Sequence, residues 1–418
     1  MSKIGANNNN KTGKKITLIH PTGNPFARNA AIALADLGIL EAMIATLAYN
    51  PQSRLASTLQ RLVPPLHREL SRRSWIAPPG VSLHTYPSRE ILRIALMRLG
   101  WSRRFGQNPQ SLVDWMYADL DAKVARNHLD NLTGVYAYED GAASTFTAAK
   151  AKGITCYYDL PIVYYRHSQR LQAEEAENFP ELAPALLSLQ EPKWKRDRKD
   201  KEIHLADYII VPSSIVKQSL LAAHIPEAKI AVIPFGAPVD YFHPQPKPDQ
   251  QFRALFVGRL GPRKGAHYLL QAWQDLHLPN SELLCVGFNE FPPSWLNTYR
   301  DSFRYIPSVP HATLNQYYSQ ASVFVFPSLI EGLALVLLEA MACGIPIITT
   351  PNAGGTDIIT DGVEGLIVPI RDTEALNAKL EWCYTHPEEL AEMGKAARRK
   401  AETLTWALYR QRLQSRIF

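Results

Sequence analysis

The chain has 418 residues, 46% hydrophobic and 20% charged, with a formal net charge of +6. That is ordinary globular composition, and the length suggests two domains of about 150 to 200 residues, each large enough for its own core. No apolar run reaches about 18 residues and the start, MSKIGANNNNKTGKK, has no apolar leader core, which argues against a membrane span and a secretory signal. Cys156, Cys285, Cys343 and Cys383 lie far apart without a C-x-x-C pair, so they read as reduced, buried apolar residues rather than ligands or disulfides. The expectation is a cytoplasmic protein with a disordered, Asn-rich segment at 1–14.

In chain order, the first half predicts strands at KITLIHP, AMIATLAY, VSLHTYP, GVYAYED, ITCYYDL and DYIIVPS. After KITLIHP, the turn HPTGNPFARN opens a helix in which Arg28 and Asn29 could reach a substrate or serve as caps. Between Pro51 and Gly106 there are ten arginines, no lysine or aspartate, and only Glu69 and Glu90, a local excess above the whole-chain charge. Leu55, Leu59, Leu62, Leu66 and Leu70 form one stripe beside Arg54, Arg61 and Arg68, although Pro64 and Pro65 must break any single helix. A second patch, REILRIALMRLGWSRRFG, mixes Trp101 and Phe105 with Arg89, Arg93, Arg98, Arg103 and Arg104. Basic amphipathic helices with aromatic edges suit an anionic bilayer surface; a solvated arginine face over a packed sheet is the alternative. No nucleic-acid motif accompanies the charge, so nucleic acid is not expected as a partner. The D-x-D at Asp119 and Asp121 falls in a helical pattern and reads as surface, and no metal site is expected.

GVYAYED ends at a strand's carboxyl end, where Tyr138, Glu139 and Asp140 are candidates for binding an acceptor or for capping the next helix. A proline-rich stretch, residues 237–251, separates the halves. The second half predicts strands at RALFVG, ELLCVGF, VFVFPS, PIITT and GLIVP. Alternation of apolar strands and helical patterns in both halves means parallel sheets covered on both faces, and ligands in such sheets bind beyond the strands' carboxyl ends. Two motifs occupy that position. In FVGRLGPRKG, glycines allow close backbone approach, and Arg259 and Lys264 can neutralise a diphosphate without metal; neither the Walker loop nor the dinucleotide spacing is present. In EGLALVLLE, Glu331 lies in a loop and Glu339 two turns into a helix, so each could accept hydrogen bonds from a diol at a helix N-terminus that favours anions. The ligand suggested is a phosphorylated sugar. Read alone, each motif is a weak signal, and a solvated surface turn is the simpler reading of it.

Taken together, the two motifs, with NAGGTDIITDGVEGLIVPIRD, VPSSIVKQSL, VIPFGAPVDYFHP and Trp406, resemble glycosyltransferase family 4, the retaining transferases. The resemblance runs from about Tyr208 to Leu413. It implies an α/β chain of the GT-B fold, two doubly wound Rossmann-like domains facing each other across a cleft. The expected organisation is an acceptor-side domain at 15–236, a linker at 237–251, a donor domain at 252–402, and a last helix at 403–418 crossing back. The resemblance assigns Arg259 and Lys264 to the donor diphosphate, Gly258 to donor binding, Glu331 to the donor sugar, and Glu339 to the ribose hydroxyls. Backbone N–H groups of Gly332, Leu333 and Ala334 would lie near sugar and phosphate, and Gly23 and Asn24 near the donor phosphate. Asp159 aligns with a family aspartate on the acceptor side, beside Tyr138, Glu139 and Asp140. Ala334, Phe235 and Asn24 depart from the usual residues at their positions. The implied activity is transfer of a sugar from a nucleotide-diphosphate donor to a carbohydrate, lipid-linked or small-molecule acceptor, with no cofactor beyond the donor. A sugar-nucleotide epimerase or hydrolase on the same fold is the rival enzyme reading, and a non-catalytic partner protein the rival outside enzymes.

Overall fold

The computed structural model describes residues 13–71, 73–99 and 109–417; most of the Asn-rich start, and Trp101, Arg103, Arg104 and Phe105 of the second basic patch, lie outside the described residues. The chain divides into two compact units. One holds the described residues up to Leu160, Lys193–Ile210 and the end from Arg410; the other holds Pro161–Pro192 and Val211–Tyr409. Residues 161–192 and 211–236, read from sequence with the first domain, therefore group with the second.

The first sheet contains β1 (Ile16–Ile19), β2 (Leu40–Ala45), β3 (Ser82–Thr85), β4 (Gly134–Tyr138), β5 (Thr155–Asp159), β6 (Tyr208–Val211) and β7 (Ile230–Val232), in the order β3-β2-β1-β4-β5-β6-β7. The second contains β8 (Phe252–Val257), β9 (Ser281–Gly287), β10 (Arg304–Pro307), β11 (Val323–Phe326), β12 (Ile347–Thr349) and β13 (Gly365–Ile367), in the order β10-β9-β8-β11-β12-β13. β1 pairs in parallel with β2 and β4, and β8 with β9 and β11. The central strands ITLI, GVYAY, FRALFV and VFVF are buried at every position, as strands covered on both faces must be, whereas SLHT of edge strand β3 is exposed throughout. In each sheet the winding reverses beside the first strand, so a crevice opens between the carboxyl ends of β1 and β4, and another between those of β8 and β11. β7 and β10 were not among the predicted strands.

Asp121 corrects the surface reading of the D-x-D. It is buried, and its two oxygens accept the Ser144 and Thr145 N–H groups at 2.8 Å, capping the Ala143–Ala151 helix from 22 residues or more upstream. Buried Glu202 takes the adjoining N–H groups of Asp140, Ala142 and Ala143 and the Tyr158 hydroxyl, and Arg198 bridges the two acids. Burial pushes the Glu202 carboxyl up to about 7, against Arg198 and the Ala142 N–H, which pull it down. Asp119 has ion-pair partners in Arg89 and Lys123.

The basic stretch folds as two short helices, Arg54–Leu62 and Pro64–Ser71, broken where the prolines demand. The Pro64–Ser71 helix buries none of its residues. Leu62 is 75% and Leu55 65% exposed, and Val63, Ile91, Leu92, Met97 and Leu99 are exposed as well. Arg73 and Arg93 instead hold buried Glu90, a structural role. No helix among the described residues is long and apolar enough to cross a membrane.

In the second unit, Phe235 is buried against Trp406 and Tyr409, with ring centroids 6.2 and 6.3 Å apart, so its aromatic side chain serves packing. The Tyr165–Asn178 helix is fastened by Glu175. This fully buried carboxylate accepts from His267 Nε2 at 2.6 Å and the Tyr268 hydroxyl at 2.9 Å on the Ala266–Leu276 helix, and from Arg371 Nε at 2.8 Å. All four cysteines are buried thiols.

Candidate functional site

At the carboxyl end of β8 the chain turns through Gly258 to Arg259, and a single 3-10 turn, Pro262–Lys264, presents Arg263 and Lys264 before the Ala266–Leu276 helix. Gly265 makes that junction. Its φ is +66°, and a Cβ there would lie 1.9 Å from the Pro327 carbonyl oxygen of the loop after β11, so only glycine lets the two strand-end loops meet. The loops are stitched by Leu329 N–H to Arg263 O (3.1 Å) and Arg263 Nη1 to Ile330 O (3.0 Å).

Across this seam Lys264 Nζ contacts Glu331 Oε1, with Arg263 Nη1 at 3.7 Å from the same oxygen and the Phe326 ring 5.4 Å from the ammonium. Burial first, and the Arg263 guanidinium second, pull the Lys264 pKa down, with Arg259 adding to this and Glu290 opposing it; the Glu331 carboxylate against Nζ favours the charged form. Burial likewise lowers Arg263. Arg259 is the outer cation, half exposed and ion-paired to Glu290. Arg263 lies within the glycine-rich motif but, unlike Arg259 and Lys264, carries no expected role, and Glu290 lies in the loop after β9, beyond the reach of local spacing.

Gly332 also meets backbone. A Cβ would lie 1.8 Å from Pro161 O, and Gly332 bridges Ile162 while its carbonyl takes the Ser213 hydroxyl at 2.6 Å. The segment after β12 supports the same turn: Glu331 N–H donates to Asn352 O and Ala334 N–H to Ala353 O, each at 3.1 Å. The Ala334 N–H that sequence reading offered to the donor therefore has a backbone acceptor, and the first-turn groups beyond it belong to Leu335 and Val336 of the Leu335–Ala342 helix. Leu333 is buried beside Ala334. Glu339 is buried on this helix, accepting from His311 Nε2 at 2.8 Å and the Tyr318 hydroxyl at 2.9 Å. Neither partner was foreseen.

In the first unit, register sets Ile19 beside Ala137 and Tyr138 beside Asp159, so the turn after β1 and the ends of β4 and β5 adjoin. His20, missed in the sequence, joins them. Its Nδ1 accepts from the Thr22 and Gly23 N–H groups at 3.1 and 2.9 Å, its Nε2 faces the Asn24 amide at 3.0 Å, and its ring meets Tyr138 edge-on at 4.7 Å. Burial lowers the His20 pKa to about 3, leaving a neutral imidazole. Asn24 also caps the Pro25–Asp36 helix through the Ala27 N–H, while Arg28 binds Gly23 O. Asp159 is buried with the Tyr136 hydroxyl at 2.7 Å; burial raises it to about 7 although Tyr136 and Tyr138 pull it down. Glu139 pairs with Lys199 at 3.5 Å and Asp140 with Lys195 at 3.0 Å. Gly23, Asn24, Tyr138 and Asp159 thus gather at one sheet end, while Glu139 and Asp140 are engaged with lysines of the Lys193–Leu205 helix.

Residues 240–400 match the family model for glycosyl transferases group 1. A GDP-mannose-dependent alpha-(1-6)-phosphatidylinositol monomannoside mannosyltransferase of Mycolicibacterium smegmatis is 26% identical over 49% of this chain and 58% of its own length. The spore coat protein SA of Bacillus subtilis is 34% identical over 36% of this chain and 44% of its own length. The chain spans about half the length of the curated relatives it matches. Among solved structures, sucrose-phosphate synthase from Thermosynechococcus elongatus superposes with a TM-score of 0.64 at 20% identity, covering 97% of this chain and 98% of that one. Anabaena HepE in complex with UDP gives 0.62 at 15% identity, covering 96% and 99%. These likenesses show the fold, GT-B with two doubly wound Rossmann-like units.

Proposed function

We propose that the protein is a glycosyltransferase that moves a sugar, with retention at the anomeric carbon, from a nucleotide-diphosphate sugar to a carbohydrate, lipid-linked or small-molecule acceptor. The observation that carries this reading is the Lys264–Glu331 pair, held with Arg263 where the loops after β8 and β11 meet. Cations fixed by glycine-locked backbone at a sheet switch point suit a diphosphate, and an adjacent carboxylate suits sugar hydroxyls. In the reaction the bond from the anomeric carbon to phosphate breaks, the acceptor oxygen bonds to that carbon on the same face, and its proton passes to the departing phosphate oxygen. The largest catalytic contribution is stabilisation of the leaving diphosphate by Lys264, Arg263 and Arg259. Glu331, engaged with Lys264 and Arg263, orients the sugar rather than attacking it. No metal or cofactor beyond the donor enters this scheme.

HepE is described with UDP, with UDP and glucose, and with UDP-glucose, and the mycobacterial relative as GDP-mannose-dependent, so UDP- and GDP-sugars are the first probes. One of them is expected to raise the melting temperature by mass action and to give an acceptor-dependent product of retained configuration. With that donor, Glu339→Ala should mainly raise KM and Glu331→Ala should depress kcat. Release of free or epimerised sugar nucleotide without acceptor would favour the hydrolase or epimerase reading, and donor binding without turnover the non-catalytic one.

We also propose that the first unit makes a peripheral contact with an anionic membrane, at the cytoplasmic face, with nucleic acid not among the partners. Leu55, Leu62 and Val63 are exposed alongside Arg54, Arg61 and Arg68, the combination that inserts apolar groups while arginines meet lipid phosphates. In flotation assays the protein should associate with vesicles containing anionic phospholipid, not with neutral ones, and be released as salt rises. Association that ignores lipid charge and salt would show that these arginines only solvate helix faces.

A further inference from the structure

Glu339 is buried, yet its two hydrogen-bond partners differ in kind. Tyr318, on the Leu314–Gln320 helix, is itself fully buried and serves Oε2 from within. His311 serves Oε1 from a side chain that is 67% exposed, against 8% for Glu339. Phe242 stands edge-on to both rings, at 5.2 and 5.7 Å, and so confines the imidazole laterally. Because an ionised carboxylate only accepts, His311 must donate through Nε2–H, which leaves protonation of Nδ1 to switch that nitrogen from acceptor to donor.

We propose that His311 is a positioning residue for the donor nucleotide: it holds Glu339 ready for the ribose hydroxyls, and its charge ties nucleotide affinity to pH. This rests on the donor reading given above. The groups around the imidazole are few. The Leu335–Ala342 helix offers Glu339, with Cys343 just beyond, whose thiol burial pushes up to about 12. The Leu314–Gln320 helix offers Tyr318, pushed well above 10 by burial and then by Glu339, so it stays protonated. The segment before β8 brings Phe242, which is uncharged and whose carbonyl accepts from Arg398, and His243, whose N–H is taken by Asn315. The Glu339 hydrogen bond raises the His311 pKa above its ordinary 6.5, against burial. Charged His311 therefore belongs to the lower end of the physiological range, where it neutralises Glu339 and adds attraction for an anionic nucleotide; that attraction is lost as pH rises through the raised pKa.

The test uses the full chain with UDP and with GDP, measuring Kd by calorimetry from pH 6 to pH 8.5. For whichever nucleotide binds, the wild type should weaken about 5- to 10-fold more across this interval than His311→Gln, whose amide can still donate to Glu339 but does not titrate. His311→Ala should bind more weakly at every pH. Separately, imidazole NMR should give a His311 pKa above 6.5 that falls in Glu339→Gln. Parallel pH profiles for wild type and His311→Gln, or an NMR pKa unmoved by Glu339→Gln, would overturn the proposal while leaving the donor reading intact. Failure of the wild type to bind UDP, GDP and their sugars at millimolar concentration would overturn both.

Discussion

Lys264→Ala is expected to lower kcat/KM for sugar transfer by about 10²-fold or more, equivalent to about 3 kcal/mol of transition-state stabilisation, with the circular dichroism spectrum unchanged. The loss has two sources. The ammonium is a preorganised charge where negative charge accumulates on the leaving diphosphate, and it is also the group in contact with Glu331. Without it, Arg263, 3.7 Å away, is the cation left beside Glu331 among the described residues, and the sugar-orienting carboxylate loses its anchor. Lys264→Met, close in volume, separates charge from packing and should lose activity to the same extent. Arg259→Ala, on a more exposed cation paired with Glu290, should also fall by about 10²-fold. Near-normal turnover by folded Lys264 and Arg259 variants would remove the diphosphate assignment.

Gly265→Ala is expected to destabilise the second unit by more than about 3 kcal/mol, seen as a fall of the melting temperature by roughly 6 °C or more. A left-handed φ of +66° costs an alanine about 1 kcal/mol, and the added methyl would sit 1.9 Å from a backbone oxygen that no rotamer change can move. Relief requires separating the loops after β8 and β11, so any folded fraction should also bind nucleotide poorly. An unchanged melting temperature would mean the two loops are not locked together through this residue.

The alternation of apolar strands with helical patterns made the two wound units legible, because strands buried on both faces must be apolar at every position, as GVYAY and VFVF are. β7 and β10 escaped for the converse reason. IAV is three residues long, and RYIP has no fully buried position and ends in a proline, so neither carries a periodic signal. In the candidate site, Arg259, Lys264, Glu331 and Glu339 stand out in the sequence because glycines and charges cluster locally in their two motifs. Their partners do not: Glu290 is 31 residues from Arg259, and His311 is 28 from Glu339. Asp121 shows the same limit. Its helical neighbourhood suggests an exposed face, and only the fold reveals that the N–H groups it caps come from residues 144 and 145.

The fastening of Glu175 has a consequence for local opening. Its three donors come from the Ala266–Leu276 helix and Arg371, while the Tyr165–Asn178 helix that carries it lies about ninety residues earlier in the chain. Opening that helix alone would withdraw the carboxylate and leave the buried His267 and Tyr268 donors and the Arg371 guanidinium without their acceptor, so its amide hydrogens should exchange with solvent only when the helix behind the Lys264 loop opens too, the two forming one cooperative folding unit despite their separation in sequence.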